Sequence, residues 1–457
     1  MKVRTTLDHR YIKRFFLARF ISNFGNGMGP IALAFGILHL PHGSAKELGF
    51  VLGALTVAML CMLPFGGVIA DKYGRLKMLA IADVTGGLVL MVQVYFFHTG
   101  HVPIGAILFS NIGFGLMWGI FWPAFSGALP ALLPEEQWQQ GNAINQFIQN
   151  FALISGTAVG GYLISAFGST AALFIDALTF IVSGSLVISF RHLTPARAET
   201  GTSVRVDMRE GWRVFSSYPW IVITVAGFSF VVMVWAGAQD VLGPVIALKH
   251  FHGAKSWAVV ITCESIGYVV GSLLALRIRI RYQMRFLTLI SLTLTAYLVV
   301  LSKPEPLAVI CVGAFFWGIT LDLWGALWGT AFQRTIPREA LSRASAFDGM
   351  GTMLLRPVGL AIAGPLASVL GVSHTILIFA GVSLLVIVTL LAIPADLAVS
   401  TKNKFLITAK IFLRELARLG AVTDITQNMG QGLVVILPNK CWIYLKLSIH
   451  RKFRLYN

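Results

Sequence analysis

The sequence predicts an all-α polytopic membrane protein, with twelve transmembrane helices in two six-helix pseudo-symmetric halves. Three observations predict it. The chain is 56% hydrophobic and 12% charged, against roughly 25% charged in a soluble domain, and its mean hydropathy is +0.77. Apolar runs of about 20 residues recur along it, the length a helix needs to cross lipid while closing its own backbone hydrogen bonds. The second half also repeats the first. Shifting by 203 residues superimposes Gly115 on Gly318, Pro134 on Pro337, Glu136 on Glu339, Ala143 on Ala346, Gly156 on Gly359, Gly161 on Gly364 and Gly168 on Gly371. Six spans separate the copies, so the repeat is parallel, about an axis along the membrane normal.

Taken in order, the chain starts with a basic tail (Lys2, Arg4, Arg10, Lys13, Arg14). The apolar segment after it is too long for a signal peptide and no small-residue cleavage site follows, so it is expected to remain as span 1. Spans are placed at 15–40, 47–70, 78–98, 103–127, 143–166 and 171–190, and again at 219–244, 256–276, 286–302, 306–330, 346–369 and 374–394. The tail and the loops on its side hold 20 Lys and Arg, and the opposite loops hold four, Lys46, Lys249, Lys255 and Lys303. By the positive-inside rule both termini are cytoplasmic, in a multi-pass cell-membrane protein. Residues 191–217 read as a polar, basic linker with a short surface helix at 205–215. After about residue 400, Phe405, Phe412 and Leu416 share a face with Lys410 and Arg414 elsewhere, the pattern of a basic amphipathic helix on the inner leaflet. The stretch GLVVILPNKCWIYLKL is short and broken by Pro438, so it is not a thirteenth span. The expected divisions are 1–190, a linker at 191–217, 218–395, and a basic cytoplasmic tail at 396–457.

Composition also excludes functions. The net charge is +17, but the basic residues fall between apolar runs, so nucleic acid is not an expected partner. Cys61, Cys263 and Cys311 lie in apolar runs and Cys441 near the end, without CxxC spacing, which indicates neither a disulfide framework nor a metal site. No nucleophile with a base, metal cluster or phosphate loop stands out, so an enzyme is not expected.

The stretch GGVIADKYGRLK at 66–77 carries the sharpest signal. An apolar run stops at Asp71, and Gly67, Asp71, Gly74 and Arg75 join spans 2 and 3 by a tight hairpin in which the glycines permit close packing. In the second half RIRIRYQMR at 277–285 keeps the positive charge of that loop but not the acid. Within the spans, Arg19, Asn23 and Asn26 share one helical face, and Asn142, Gln146 and Gln149 form a similar stripe in span 5. Such faces either line a cavity or hold helices together. Trp118 and Trp122, with Trp317, Trp324 and Trp328 at the equivalent place, are flat apolar surfaces suited to amphipathic or cationic molecules, or are ordinary interface tryptophans.

Ionisable groups near the midplane are Glu264, Asp322 and Arg356, where an unpaired charge costs at least about 2.5 kcal/mol. Burial favours a neutral carboxyl and a neighbouring guanidinium a charged one; a group between these influences can load and release a proton. Glu264 and Asp322 are the proton-coupling candidates with Arg356 as counter-ion, a fixed ion pair being the alternative. Asp176 and Asp240 are expected nearer the outer surface and solvated, and Asp83 and Asp348 at helix ends or gate contacts. Gly156 with Gly160, Gly267 with Gly271, and Gly325 with Gly329 read as close-packing pairs.

The 66–77 loop strongly resembles the signature loop between spans 2 and 3 of the major facilitator superfamily of transporters. The pieces ARFISNFGNGMGPIALAF, QDVLGPVIALKHFHGAKSWAVV and IPREALSRASAFDGMG resemble that family's bacterial efflux branch, which contains macrolide exporters. The antiporter pattern of span 5 carries a proline before its paired glycines, where this chain has Val159 before Gly160 and Gly161. The resemblance covers about 12–394. It implies a latch role for Asp71 and Arg75 on the cytoplasmic side, and a secondary active transporter of the multidrug-resistance kind. That transporter would export small amphipathic molecules in exchange for protons, as a monomer among membrane lipid, with no cofactor beyond the proton gradient. The alternatives are transport of a siderophore or another metabolite, and a non-transporting receptor or scaffold on the same fold.

Overall fold

The computed structural model describes residues 10–134, 137–193, 204–275, 277, 283–303, 306–337 and 341–392, and the short stretches 424–428, 432–436 and 442–445. The chain divides into two compact units, Met1–Ala392 and Ile393–Asn457.

The first unit is built from helices. α1 (Arg10–Leu38) is followed by α2 (Ala45–Tyr73), which starts on Ser44, whose hydroxyl accepts the Lys46 N–H at 3.1 Å. Gly74, with φ +94°, turns the chain directly into α3 (Arg75–Thr99), and α4 (Ile104–Leu132) follows Pro103. A side chain would strain such a positive φ, which is why the hairpin needs this glycine. α5 runs from Trp138 to Ile188 but is non-helical at Gly168, where φ is +80°. Gly27 of α1 lies against Leu153 and Thr157, and Gly25 against Asp176 and Thr179. In a straight helix those two contact points would be about 33 Å apart, so α5 doubles back at Gly168 and its limbs are spans 5 and 6.

The linker contains α6 (Val204–Ser216), where a short surface helix is expected at 205–215. The seventh crossing comprises α7 (Pro219–Ala236), a π-helical turn (Gly237–Leu242) and α8 (Gly243–His250). α9 (Ala254–Ala275) is the eighth; α10 (Gln283–Ile290) and α11 (Leu292–Leu301) make the ninth; α12 (Leu307–Thr335) is the tenth. α13 (Leu341–Met353) and α14 (Arg356–Leu370) form the eleventh, and α15 (Val372–Ala392) the twelfth. Among the described residues ten helical stretches are long and apolar enough to cross a membrane, the one over 140–188 being the doubled α5. α1 has 29 residues, but its asparagines and glycines dilute its hydropathy. With α1 and both limbs of α5 counted, the expected twelve segments are present.

The repeat has a physical basis. Gly168 and Gly371, related by the 203-residue shift, both carry positive φ, +80° and +84°, and both reverse the chain between adjacent spans. A methyl on Gly156 would overlap the Phe24 carbonyl, and one on the equivalent Gly359 would overlap that of Met233. Likewise Gly115 sits under the Leu55 carbonyl and Gly318 under that of Glu264. The halves also meet by matched contacts: Gly161 packs on Ala254 and Ala258 at the start of α9, and Gly364 on Ala45 and Lys46 at the start of α2. Gly49 and Gly53, against Leu360 and Pro357, belong to the same region. Among the described glycines, those that touch the opposite half all lie at the end of the bundle where α2 and α9 begin. Gly325 and Gly329 face open space, so they are not a packing pair; α12 makes its close approach through Gly318 instead.

In the second unit β1 (Asp424–Asn428), β2 (Gly432–Ile436) and β3 (Trp442–Leu445) form an antiparallel sheet in that order, with Asp424 opposite Ile436 and Leu433 opposite Leu445. The short stretch not expected to span thus supplies two strands of β-branched and aromatic residues. The helix expected around 405–416 lies outside the described residues.

Candidate functional site

A buried polar cluster in the second half has the clearest chemical organisation. Glu264, on α9, is 2% exposed. Its Oε1 accepts the Tyr268 hydroxyl at 2.9 Å, one helical turn on, and its Oε2 accepts the Gln239 amide at 2.6 Å. Gln239 in turn accepts the Tyr297 hydroxyl from α11 at 2.6 Å. All these donors are neutral. The cation of the region goes elsewhere: Arg356, at the start of α14, pairs with Asp240 at 2.9 Å. Gln239 and Asp240 are neighbours on the π-helical turn, a geometry that often re-aims side chains at functional sites. One turn therefore presents an amide to Glu264 and a carboxylate to Arg356, close enough that Asp240 and Glu264 interact electrostatically.

This corrects three expectations. Arg356 is not the counter-ion of Glu264 or Asp322, because Asp240 occupies it. Asp240, expected to be solvated near the surface, is held among helices with its side chain 27% exposed. Asp322 faces Gly271 on α9, seven residues beyond Glu264 and so roughly 10 Å along the helix, and it does not join the cluster.

The first half holds a second cluster. Arg19 is 2% exposed, its guanidinium 4.7 Å from the ring centroid of Phe121 and 4.8 Å from that of Phe125, both on α4. It interacts electrostatically with Asp83 of α3, whose Oδ2 accepts the Ser183 hydroxyl at 2.7 Å. Arg19 is thus packed between helices and does not line a cavity, and Asp83 is an interior contact, not a helix-end one. Asn23 donates to the Arg19 carbonyl at 2.7 Å, bonding its own helix, and Asn26 is half-buried. Asp176 is also interior, against Gly25 and Gly29, contrary to its expected solvation.

The remaining candidates are distributed. Trp118 packs on Phe114 and meets Trp122 edge-on at 6.5 Å, with Trp122 about half exposed. Trp324 is buried and stacked on Phe228 at 4.1 Å, a seam between α7 and α12 continued by Trp220 on Trp328 and Trp235 beside Trp317. It fills this wall and leaves no face to a cavity. Asp348 accepts the Trp328 indole N–H at 3.1 Å, joining α12 to α13. Gln146 is exposed and donates to Asn150 at 3.3 Å, while Gln149 is half-buried.

In the 66–77 loop, Arg75 pairs with Asp71 at 2.8 Å and its guanidinium crosses α4 at Gly127. Gly66 makes the close approach to α4, against Gly119 and Ile120; Gly67 is in ordinary contact with Pro123 at 3.7 Å.

Tyr268 could have been read from its i, i+4 spacing to Glu264. Gln239, Tyr297, Ser183 and the two phenylalanines come from other helices and had no such signal.

Comparisons with known proteins agree with this architecture. The family model described as Major Facilitator Superfamily matches residues 15–252. The multidrug efflux pump Tap of Mycolicibacterium fortuitum is 27% identical over 77% of this chain and 88% of its own length. Macrolide efflux protein A of Streptococcus pyogenes is 25% identical, over 74% and 84%. The enterobactin exporter EntS of Escherichia coli O1:K1 / APEC is 25% identical, over 84% and 93%. Among solved structures, the nucleoside transporter NupG superimposes with a TM-score of 0.66 at 13% identity, over 84% of this chain and 99% of that one, a likeness of fold.

Proposed function

The chain belongs to the major facilitator superfamily, and from that premise we propose that it is a proton-driven exporter of small amphipathic molecules. The observation that carries the coupling is the setting of Glu264. A carboxylate enclosed by helices and bonded only by neutral donors has no fixed counter-charge, so gaining a proton removes a buried charge without breaking an ion pair. Asp240 beside it adds repulsion that a proton relieves, and Asp240 is itself paired with Arg356. Glu264 is therefore the coupling carboxylate, and the Asp240–Arg356 pair is its fixed neighbour. With both termini cytoplasmic, the contacts between halves at the α2 and α9 ends belong to a state closed toward the outside. Rocking of the halves then exposes Glu264 alternately.

The drug and macrolide efflux pumps among the relatives support an amphipathic substrate. Their counterpart, the enterobactin exporter, supports a second reading in which the cargo is a siderophore. The working unit is a monomer in lipid, needing no cofactor.

Accumulation of a fluorescent cationic dye and of a macrolide in cells expressing the protein, with and without a protonophore, tests this. Lower accumulation that the protonophore abolishes, and that Glu264→Gln loses at equal expression, is expected. Unchanged accumulation of both compounds would overturn the drug reading, and an energised Glu264→Gln variant the coupling role.

A further inference from the structure

Asp176 takes no part in the cluster around Glu264. It lies on the second limb of α5, eight residues past the reversal at Gly168, and is 4% exposed. Its carboxylate rests on α1 where two glycines one turn apart make room: a methyl on Gly25 or Gly29 would overlap its oxygens. Oδ1 has no hydrogen-bond partner among the described residues.

The helices around it offer no charge to balance it. On α1, Arg19 is engaged with Asp83 and the rings of Phe121 and Phe125, and Lys13 and Arg14 lie near the start of the helix. On α3, Arg75 pairs with Asp71 and Lys77 is exposed, both at the start of the helix; Asp83 is bonded to Ser183, and His98 is exposed at the far end. Asp176 is the one ionisable residue of the limb after Gly168. Among the described residues a second polar side chain without a partner lies on α3: Gln93 is fully buried, and neither atom of its amide is bonded. Its level is set by Gly87, which meets Ala177 and Ile181, and by Phe97, which meets Gly36 of α1. A carboxylate in such a place would be an uncompensated buried charge, whereas a carboxylic acid carries no charge to compensate.

We propose that Asp176 is a proton-binding site of the first half, loaded while α1 and the second limb of α5 are packed together and emptied to water when they separate. Gly25 and Gly29 form its cradle. The site extends the gradient-coupled reading above to the other half, and its test is chosen to succeed or fail independently of export.

The test is infrared spectroscopy of the full chain in liposomes, following the carbonyl stretch of protonated carboxyl groups as pH is raised, for the wild type, Asp176→Asn and Glu264→Gln. The expected result is a band that diminishes with rising pH, is missing in Asp176→Asn and persists in Glu264→Gln. Spectra of Asp176→Asn that superimpose on those of the wild type would overturn the proposal, as would an Asp176 band that does not respond to pH. Gly29→Ala, which presses on the carboxyl without removing it, covers the case in which Asp176→Asn fails to fold. It should shift the pH at which the band disappears, and an unshifted band counts against the site. No substrate is needed, so the band decides even if neither dye nor macrolide is exported.

Discussion

The Arg356 guanidinium donates to the Asp240 carboxylate at 2.9 Å, tying the start of α14 to the π-helical turn of the seventh crossing while Glu264 beside it is left to neutral donors. This division of labour separates an ion pair from a carboxyl bonded only by neutral groups.

Removing one member of the pair strands the other. Arg356→Ala is expected to lower stability by about 2 kcal/mol, below the 3–5 typical of fully buried pairs because both side chains keep some exposure. Asp240→Asn should likewise destabilise, and the double variant Asp240→Asn with Arg356→Ala should recover more than half of the summed loss. Thermal unfolding in detergent of the two single variants and the double one measures the coupling.

Glu264→Gln and Glu264→Ala should separate bonding from charge. Alanine leaves the Gln239 amide and Tyr268 hydroxyl unpaired, at about 1–3 kcal/mol, whereas glutamine keeps most of the contacts. Both should slow gradient-driven transport at least about tenfold, or ~1.4 kcal/mol of barrier. Initial rates in proteoliposomes across neutral pH should vary for the wild type and vary less steeply for Glu264→Gln.

Glycines that look alike in sequence should respond in opposite ways. Gly359→Ala and Gly156→Ala force a methyl into a carbonyl and should cost about 1–3 kcal/mol. Gly325→Ala and Gly329→Ala enter open space within a helix and should be neutral, or stabilising by up to about 1 kcal/mol through helix propensity. Melting temperatures of the four purified variants check this.

The Asp71–Arg75 pair is substantially exposed, so Asp71→Asn should change stability by no more than about 1 kcal/mol. If the loop works as a latch, transport by the same variant should fall about tenfold, ~1.4 kcal/mol. Unfolding and initial rates measured on one preparation distinguish the two effects.

Apolar runs set against loop chemistry determined the membrane class, the twelve segments and the repeat, because span length, glycine positions and basic loops are local properties of the chain. Gly168 and Gly371 were legible only as a matched pair of the repeat, their positive φ being shown by the structure, whereas the helix of the linker was legible directly. Tertiary structure decided the partners of the buried charges. Arg356 chose Asp240 over Glu264, Arg19 turned from a supposed cavity to Phe121 and Phe125, and Asp176 and Asp83 went inside. Helical spacing ranks the neighbours of a residue on its own helix, but the energy of a buried charge depends on what other helices place within a few ångströms. That depends on how the spans pack and on where a π-helical turn shifts the register, and neither is written in the pattern of any single span.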